Sequence, residues 1–445
     1  MQALKNIKSR VFLKGEFLLV KKTGSMAVYI SYVLLISAYF LCCLVRTSGG
    51  VVLPGISSAM GLSPSLAGLI SGMYFYGYTI TQPFCGKMCD NKGPLFMESC
   101  GIMIFASGLA LFAIAVNALL LCAARFLLGI GAGPTFCSLM VFQAKALPSH
   151  LFSKFMGITI MLGHFGGVVS VTPLGFAIDK LGYKNVHYIL AALSAAVFIL
   201  LLLMLRRLPF EKEEAAASRK GGVLHGFGIM LKNRQLTVLV IVWSIMMITQ
   251  MNLIGLWGVY WIRKTCHMSE SIARACMSMG GIGVLVGAFV VGIAGTVFSK
   301  SIGFLRGFYI MMTAVLALLI LCVSCSLPWQ LLAVITFVIG TMFGIINVLC
   351  NVFVYKIVGA DVVGTVTGAC NVVLFLSVLL SQCFSGAFIQ KLDSAACLSG
   401  YSSISVFFVL LVILASVVLL PFFYTDYKKG VRKKPCSDQA VRSRL

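Results

Sequence analysis

The sequence predicts an all-α polytopic membrane protein with twelve transmembrane helices in two six-helix halves, and three observations predict this class. The chain of 445 residues is 60% hydrophobic and 11% charged, with a mean hydropathy of +1.02, which is too apolar for a soluble domain. Twelve apolar runs have the length of about 20 residues that crosses a hydrocarbon layer. One long polar segment, 206–234, divides these runs into six and six.

The predicted elements follow these runs in order. The runs begin near residues 26, 64, 95, 118, 153, 186, 236, 271, 303, 329, 361 and 401. We therefore predict a basic cytoplasmic segment over 1–25, an N-terminal half over 26–207, a cytoplasmic linker over 208–235, a C-terminal half over 236–424 and a basic cytoplasmic tail over 425–445. Most of the 44 glycines and 11 prolines lie inside the runs, which suits membrane helices that pack closely or bend.

The formal net charge of +23 is explained by where the basic residues lie. With a cytoplasmic N-terminus, 27 of the 35 Lys and Arg residues fall in cytoplasmic segments and six in outer loops, as the positive-inside rule requires. Both termini are therefore expected in the cytoplasm, and the basic tail is expected to contact anionic lipid headgroups. The basic residues are split among short loops without a recognition motif, so nucleic-acid binding is not expected.

A glycine-containing pattern recurs near the end of every third predicted helix. Its four instances are GKMCDNKG from Gly86, GFAIDKLG from Gly175, GIAGTVFS from Gly292 and GAFIQKLD from Gly386. The first and third instances start 206 residues apart, and the second and fourth start 211 apart. This spacing predicts two duplicated halves, each built from three-helix repeats, which is an architecture of secondary transporters.

The first instance also resembles the signature loop of the major facilitator superfamily, in which a Gly, an Asp and a second Gly recur. Gly86, Asp90 and Gly93 match that pattern. The segments RFLLGIGAGPTF and GTVTGACNVVLFL are similar to the family's fourth and eleventh helices, so the resemblance covers the whole chain. It implies a gating role for the three matching residues. The basic residues usual in the loop are replaced by Asn91 and Pro94, which implies a weaker charge network for closing the cytoplasmic side.

A narrower resemblance is to a bacterial branch of permeases related to sugar-phosphate and organic-anion carriers. The segments VRTSGGVVLPGI, SGMYFYGYTITQPFCG, FGGVVSVTPLGFAIDKLGY and LIGLWGVYWIRK carry it. Members of that branch have an Arg in the first helix, followed by a Gly/Ser-rich stretch and a Pro. The resemblance implies a class of transporter and leaves its cargo open.

Arg46 lies near the end of the first apolar run, before TSGG and Pro54. An arginine inside a span costs roughly 2.5 to 3.5 kcal/mol on insertion scales and is a functional candidate by default. Two interpretations stay open: Arg46 binds a substrate, or it snorkels to the outer surface or caps a neighbouring helix. The twelve Asp and Glu residues fall in loops, tails or helix ends, with Glu98 close to the inner mouth of the third helix. A cavity with an arginine and no fixed acid favours an anionic solute.

Two further titratable residues lie within spans. Arg125 is near the outer side of the fourth run, and the resemblance implies either helix packing or proton coupling for it. His164 is deep in the fifth run among glycines, where it either carries a coupling proton and contacts substrate or packs through a hydrogen bond.

The remaining candidate substrate-binding residues are neutral. Amide side chains in the spans either bond a solute or join helices, the second role being worth about 0.6 kcal/mol each. Aromatic residues either line a cavity or belong to an interfacial belt. The candidates are Tyr74, Tyr78, Gln250, Asn252, Trp257, Asn347, Asn351 and Asn371.

Several chemistries lack support in the sequence. The 16 cysteines lie mostly in apolar runs, and Cys322 and Cys325 have no second pair or His to complete a metal set. A GxxxxGK[ST] phosphate loop, an HExxH motif and a catalytic triad are all absent. We therefore expect no enzyme activity, no cofactor and no metal.

These observations predict a secondary active transporter that moves a small organic anion, with a carboxylate, phosphate or sulfonate, by alternating access. The expected partners are that solute, a proton as the coupling ion for uptake, and the lipid bilayer of a bacterial inner membrane, with the protein as a monomer. The alternatives are an exporter of amphipathic small molecules and a non-transporting, permease-like sensor.

Overall fold

The computed structural model describes residues 25–49, 52–53, 56, 60–62, 64–170, 172–208, 224–394 and 403–424. The described residues form helices and connecting turns, with no strand among them. The helices are α1 Ser25–Thr47, α2 Pro64–Lys92, α3 Pro94–Ile114, α4 Ala118–Ala146, α5 Phe152–Val169, α6 Thr172–Leu181, α7 Tyr183–Arg207, α8 His225–Lys232, α9 Arg234–Asn252, α10 Gly258–Cys266, α11 Glu270–Phe298, α12 Ile302–Ser324, α13 Trp329–Val358, α14 Val363–Ser394 and α15 Ser403–Tyr424. A short 3₁₀ turn, Ser149–Leu151, precedes α5, and a π turn, Leu253–Trp257, joins α9 to α10.

The all-α membrane class predicted from the sequence is confirmed. Eleven spans within the described part of the chain are long and apolar enough to cross a bilayer. The predicted second run corresponds to α2, which has 29 residues but is less apolar because Tyr, Gly, Ser and Thr interrupt it. Tyr74 and Tyr78 of this helix line the interior cavity described below, so part of its polar content faces inward.

Helix ends follow local chemistry. Asn117 caps α4 by accepting a hydrogen bond from the Leu120 amide, and Asn233 caps α9 in the same way through Gln235 and Leu236. Gly93 ends the turn between α2 and α3 with φ = 89°, a conformation that a side chain disfavours. Pro94 then starts α3 at a position where the missing amide hydrogen has no cost.

The helices pack as two groups, α1–α7 and α9–α15. In the first group α4 packs against α2 and α3, and in the second α11 packs against α13. The groups meet mainly through two helix pairs, α2 with α14 and α5 with α11. We call the side of the bundle that carries the α2–α3, α4–α5 and α13–α14 loops the linker side, because α7 ends and α9 begins there.

Glycines permit close approach of the two groups on the linker side. Gly86 of α2 lies against the backbone of Gly364 at the start of α14. Gly157 of α5 lies against the backbone of Gly292 in α11, and a Cβ atom at either Gly86 or Gly157 would overlap its neighbour. Such small-residue contacts let membrane helices approach backbone to backbone. Nearby, the rings of Phe152 and Tyr355 stack at 4.1 Å between centroids.

Candidate functional site

A cavity of about 280 Å³ lies between the two helix groups. Helices α1, α2, α4 and α5 form one wall, and α9, α11, α13 and α14, with part of the π turn, form the other. The cavity thus lies at the interface of the two halves predicted from the sequence, where transporters of this architecture hold their solute.

Arg46 supplies a fixed positive charge to this cavity. It belongs to the last turn of α1 and is half-buried among the cavity-lining residues. The groups that act on its guanidinium are the Cys43 thiol and the hydroxyls of Tyr39, Tyr74 and Tyr78. Within the described ranges, none of the lining residues carries a carboxylate. The guanidinium therefore faces the cavity without a fixed acid opposite it.

Tyrosines surround Arg46 on the same wall. The Tyr74 hydroxyl donates to the Cys42 carbonyl at 3.2 Å, and the Tyr74 and Tyr78 rings stack at 6.5 Å. Tyr78 also packs edge-on against Phe375 of α14, so it contacts both helix groups. Tyr39 lies over Gly163 of α5, where a Cβ atom would overlap the phenol ring.

His164 of α5 lines the same wall as Arg46 and lies within electrostatic range of it. Arg46 and His164, the arginine and the histidine predicted as substrate-binding residues of the first half, therefore line the same cavity. Whether His164 carries a proton or contacts the solute stays a prediction.

The opposite wall presents neutral amides. The Trp243 indole donates to the Asn347 side-chain oxygen at 3.1 Å, and the Asn351 side-chain amide donates to the Asn347 carbonyl at 2.9 Å. The side-chain oxygens of Gln250 and Asn351 are buried without a hydrogen-bond donor among the described residues. Buried acceptors of this kind are costly unless a water or a ligand supplies a donor. The wall is therefore suited to a solute that donates hydrogen bonds.

Two of the predicted binding residues lie outside the cavity lining. The Asn252 side chain donates to Ser381 at 3.0 Å and accepts from Ser385 at 3.2 Å, while the Trp257 indole donates to Ser385 at 2.8 Å. These bonds join the end of α9 and the π turn to α14. Asn252 thus makes interhelical bonds of the kind that the sequence left open for amide side chains. Trp257, for which the sequence left cavity lining or an interfacial belt open, bonds to α14 as well.

Arg125 is also absent from the cavity lining. Its guanidinium is 2% exposed, donates to the Val45 carbonyl at 3.0 Å and lies over the Phe112 ring at 5.6 Å. These contacts join α4 to the end of α1 and to α3. Val45 directly precedes Arg46 in the chain, so Arg125 packs against the end of α1.

Asp90 joins the two helix groups on the linker side. Its carboxylate accepts hydrogen bonds from the Gly364 amide at 3.1 Å and from the Thr365 amide and hydroxyl at 2.6 Å each. These donors form the first turn of α14, whose free amides and helix dipole favour a negative charge. Gly86, one turn earlier in α2, permits this approach, and Gly93 turns the chain away after it.

A second bond between the groups lies closer to the cavity. The Asn371 side-chain amide donates to the Gln82 side-chain oxygen at 2.9 Å, and the Gln82 amide donates to the Gly133 carbonyl at 3.1 Å. Gln82 was not singled out from the sequence, because one glutamine inside TITQPFCG carries no motif. Its position about two turns before Asp90 on the same helix was the available signal.

The cavity lining also includes residues that the sequence analysis did not select. They are mostly aromatic or apolar and come from both walls: Tyr39, Cys42, Thr135, Phe136, Trp243, Met247, Met251 and Phe375. An apolar side chain in an apolar run gives no sign of which face it occupies.

The chain is similar to known proteins in sequence and in fold. The model of the family described as Major Facilitator Superfamily matches residues 35–382. Among curated proteins, the chain is 24% identical over 191 residues to "Probable anion transporter 4, chloroplastic" of Oryza sativa subsp. japonica, covering 42% of this chain and 32% of the rice protein. It is 28% identical over 156 residues to a "Probable sulfoacetate transporter" of Cupriavidus necator, covering 35% and 36%. The chain thus spans about a third of the length of these relatives.

The fold is similar to solved structures over most of the chain. The Escherichia coli fucose:proton symporter superposes with a TM-score of 0.67 at 16% identity, covering 90% of this chain and all of the symporter chain. A proton:xylose symporter superposes with a TM-score of 0.64 at 14% identity, covering 90% and 96%. At these identities the similarity establishes the fold.

Proposed function

Because the chain belongs to the Major Facilitator Superfamily, a family of membrane transporters, we propose that it moves a small organic anion across the membrane by alternating access. One observation carries this proposal: Arg46 faces the cavity between the two helix groups, and no described lining residue offers a carboxylate to neutralise it. An arriving anion supplies the missing negative charge.

The chemistry of arginine fits this role. A guanidinium keeps its proton and offers several donors in one plane, which matches the oxygens of a carboxylate, phosphate or sulfonate. The neighbouring hydroxyls of Tyr39 and Tyr78 add neutral donors close to the same point. The relatives named as anion and sulfoacetate transporters support the same class of solute.

The amide wall extends the proposal to the rest of the solute. The unpaired oxygens of Gln250 and Asn351 accept hydrogen bonds, so a hydroxyl or N–H group opposite the anionic end satisfies them. A solute with one anionic end and one donor-bearing end spans both walls. It also links the two helix groups that alternating access moves against each other.

We propose a proton as the coupling ion and uptake as the direction, in a bacterial inner membrane with both termini cytoplasmic and the protein a monomer. The linker side is then the cytoplasmic side. The bonds from Asp90 to α14 would hold the cytoplasmic side closed while the solute occupies the cavity.

One observation favours a second candidate function, export of amphipathic small molecules. Phe75, Phe136, Phe375, Met247 and Met251 give the cavity a substantial apolar surface. The fixed charge of Arg46 still selects for an anionic end in that case.

The proposal is tested by ligand-induced thermal stabilisation of the purified protein. The panel contains carboxylates, phosphates and sulfonates, including sulfoacetate and inorganic phosphate. We expect at least one anion to raise the melting temperature of the wild type, and Arg46→Ala to lose that shift because one charge-assisted contact contributes about 1.5 to 3 kcal/mol. Arg263→Ala, on an exposed side chain of α10, is the matched control. Full stabilisation of folded Arg46→Ala would contradict anion binding at Arg46.

A further inference from the structure

Glu98 of α3 is a buried acid outside the cavity lining. It lies four residues after Pro94 in α3 and is 0% exposed. Its side-chain oxygens lie beside the hydroxyls of Thr135 and Ser138 without reaching full hydrogen-bond geometry with them or with another described residue. Buried carboxyl groups are almost always bonded or paired, so an exception of this kind calls for a functional explanation.

The surroundings of Glu98 are polar but uncharged. The hydroxyls of Thr135 and Ser138 on α4 lie beside its carboxyl. Three thiols lie within electrostatic range, from α1, α2 and α4: Cys42, Cys85 and Cys137. No Lys, Arg or His of the described chain acts on the carboxyl. This setting accommodates a neutral carboxyl and offers nothing that neutralises a negative charge.

A thin layer of side chains separates Glu98 from the cavity. Thr135 lies next to Glu98 and Cys42 lies within electrostatic range of it, and both line the cavity, with 3.7 Å between the Cys42 sulfur and the Thr135 hydroxyl. In the other direction, the Ser138 hydroxyl contacts the Cys89 sulfur at 3.4 Å, and Cys89 precedes Asp90 in the chain. Small polar groups therefore lead from the cavity past Glu98 to the linker-side contact.

We propose that Glu98 binds the proton that travels with the anion, an inference that rests on the proposed function. A hydronium ion from cavity water protonates the carboxylate to give a neutral carboxyl and water, and the reverse step releases the proton on the other side of the membrane. The loaded carrier then holds an anion at Arg46 and a proton at Glu98. Neither residue carries an uncompensated charge while the helix groups move.

His164 is the competing site for the proton. It lines the cavity together with Arg46, so a protonated imidazole there places two positive charges in one small space. Glu98 lies behind the lining and its protonation removes a charge from the interior. The variants Glu98→Gln and His164→Asn therefore distinguish the two candidate sites for the proton.

The first experiment needs no transported solute. Infrared difference spectra of the purified full-length protein are recorded between mildly acidic and alkaline buffers. We expect the wild type to lose a protonated-carboxyl band on alkalinisation, Glu98→Gln to lack that band, and Asp179→Asn, altered at an exposed acid of α6, to keep it. A Glu98→Asp variant should shift the band. An unchanged band in folded Glu98→Gln, or no band in the wild type, overturns the inference.

The second experiment separates coupling from binding in proteoliposomes that receive radiolabelled sulfoacetate from outside or, if another panel anion gives the larger thermal shift, that anion. One unit of pH gradient drives about tenfold accumulation for each coupled proton, since 1.4 kcal/mol corresponds to tenfold. We expect Glu98→Gln to lose this accumulation but to keep anion exchange without a gradient, and Asp179→Asn to keep both. His164→Asn should still accumulate the anion in response to the gradient, whatever its rate of exchange.

The outcomes distinguish the two proposals. Gradient-driven accumulation by Glu98→Gln at the wild-type level overturns the role of Glu98. Failure of every panel anion to bind or move overturns the proposed function instead, and the infrared measurement still decides whether Glu98 exchanges a proton. Loss of both exchange and thermal stabilisation in Glu98→Gln contradicts the inference, because it assigns Glu98 to solute binding or to packing.

Discussion

At the scale of single residues, charge is what distinguishes the two cavity walls. Arg46 was recognisable in the sequence because a permanent cation inside an apolar run is rare and costly. The apolar residues that line the same cavity were harder to find. Trp243 and Phe136 line the cavity, yet a helix that is apolar on every face gives no periodic signal of which side faces inward.

The electropositive cavity leads to a prediction for the opposite wall. Asn351→Asp places a carboxylate among the lining residues, where it competes with the solute for Arg46 and repels its anionic end. We expect the affinity for any stabilising anion to fall by at least about tenfold, since like-charge juxtaposition costs several kcal/mol. Isothermal titration with sulfoacetate, or with the panel anion that binds, measures it. Asn351→Ala should lose less, and equal losses in both variants would contradict charge selection.

The sequence reveals the position of Glu98 along its helix but not the direction in which its side chain points. Its place near the start of the third predicted run was evident, and the structure keeps it one turn from the start of α3. The sequence did not show that the Glu98 side chain faces α4, because the direction of that side chain depends on how α3 packs against another part of the chain. The sequence therefore located the acid along the membrane normal but could not reveal that it is buried beside Thr135.

At the scale of helices, the contact between α2 and α14 is the clearest pairing across the two groups. The resemblance to the family's signature loop singled out Asp90, and the structure bonds its carboxylate to the amides of Gly364 and Thr365 at the start of α14. The partner lies 274 residues away in the chain, so no local pattern could identify it. Its role in gating stays a prediction.

That contact predicts a local change in hydrogen exchange. Asp90→Ala removes the acceptor for the Gly364 and Thr365 amides, which have no acceptor within their own helix at its first turn. We expect faster exchange over 363–368, by about tenfold or more if the charged bonds contribute 1.5 to 3 kcal/mol. Mass-spectrometric exchange of the intact protein measures this. Asp361→Ala, an exposed acid in the preceding loop, should leave the segment unchanged; an effect from Asp361→Ala and none from Asp90→Ala would refute the interpretation.

At the scale of the whole molecule, the two helix groups enclose a cavity and meet on the linker side. The repeat spacing of 206 and 211 residues was the sequence signal for this arrangement. Which side is closed is a property of the conformation, and a sequence that must support both states of an alternating carrier cannot indicate which of them is described.

Alternating access predicts that closure and binding are separable. Gly157→Leu puts a bulky side chain against the backbone of Gly292 and holds α5 away from α11 on the linker side. We expect the anion to keep a thermal shift while transport in proteoliposomes falls by at least tenfold, since a side chain that must be accommodated costs about 1 to 3 kcal/mol. Gly307→Leu, at a site on α12 with open space beside it, is the matched control. Full transport by Gly157→Leu would contradict the need for this contact.

The acceptor role of Asp90 also bears on how the protein responds to its surroundings. Two of the three hydrogen bonds that its carboxylate accepts come from backbone amides, and the carboxylate is buried, where dissolved ions screen poorly. Substitution of Thr365 removes the hydroxyl donor and leaves both amides in place. A contact built mainly on buried backbone groups should also hold in dilute and in salty media alike.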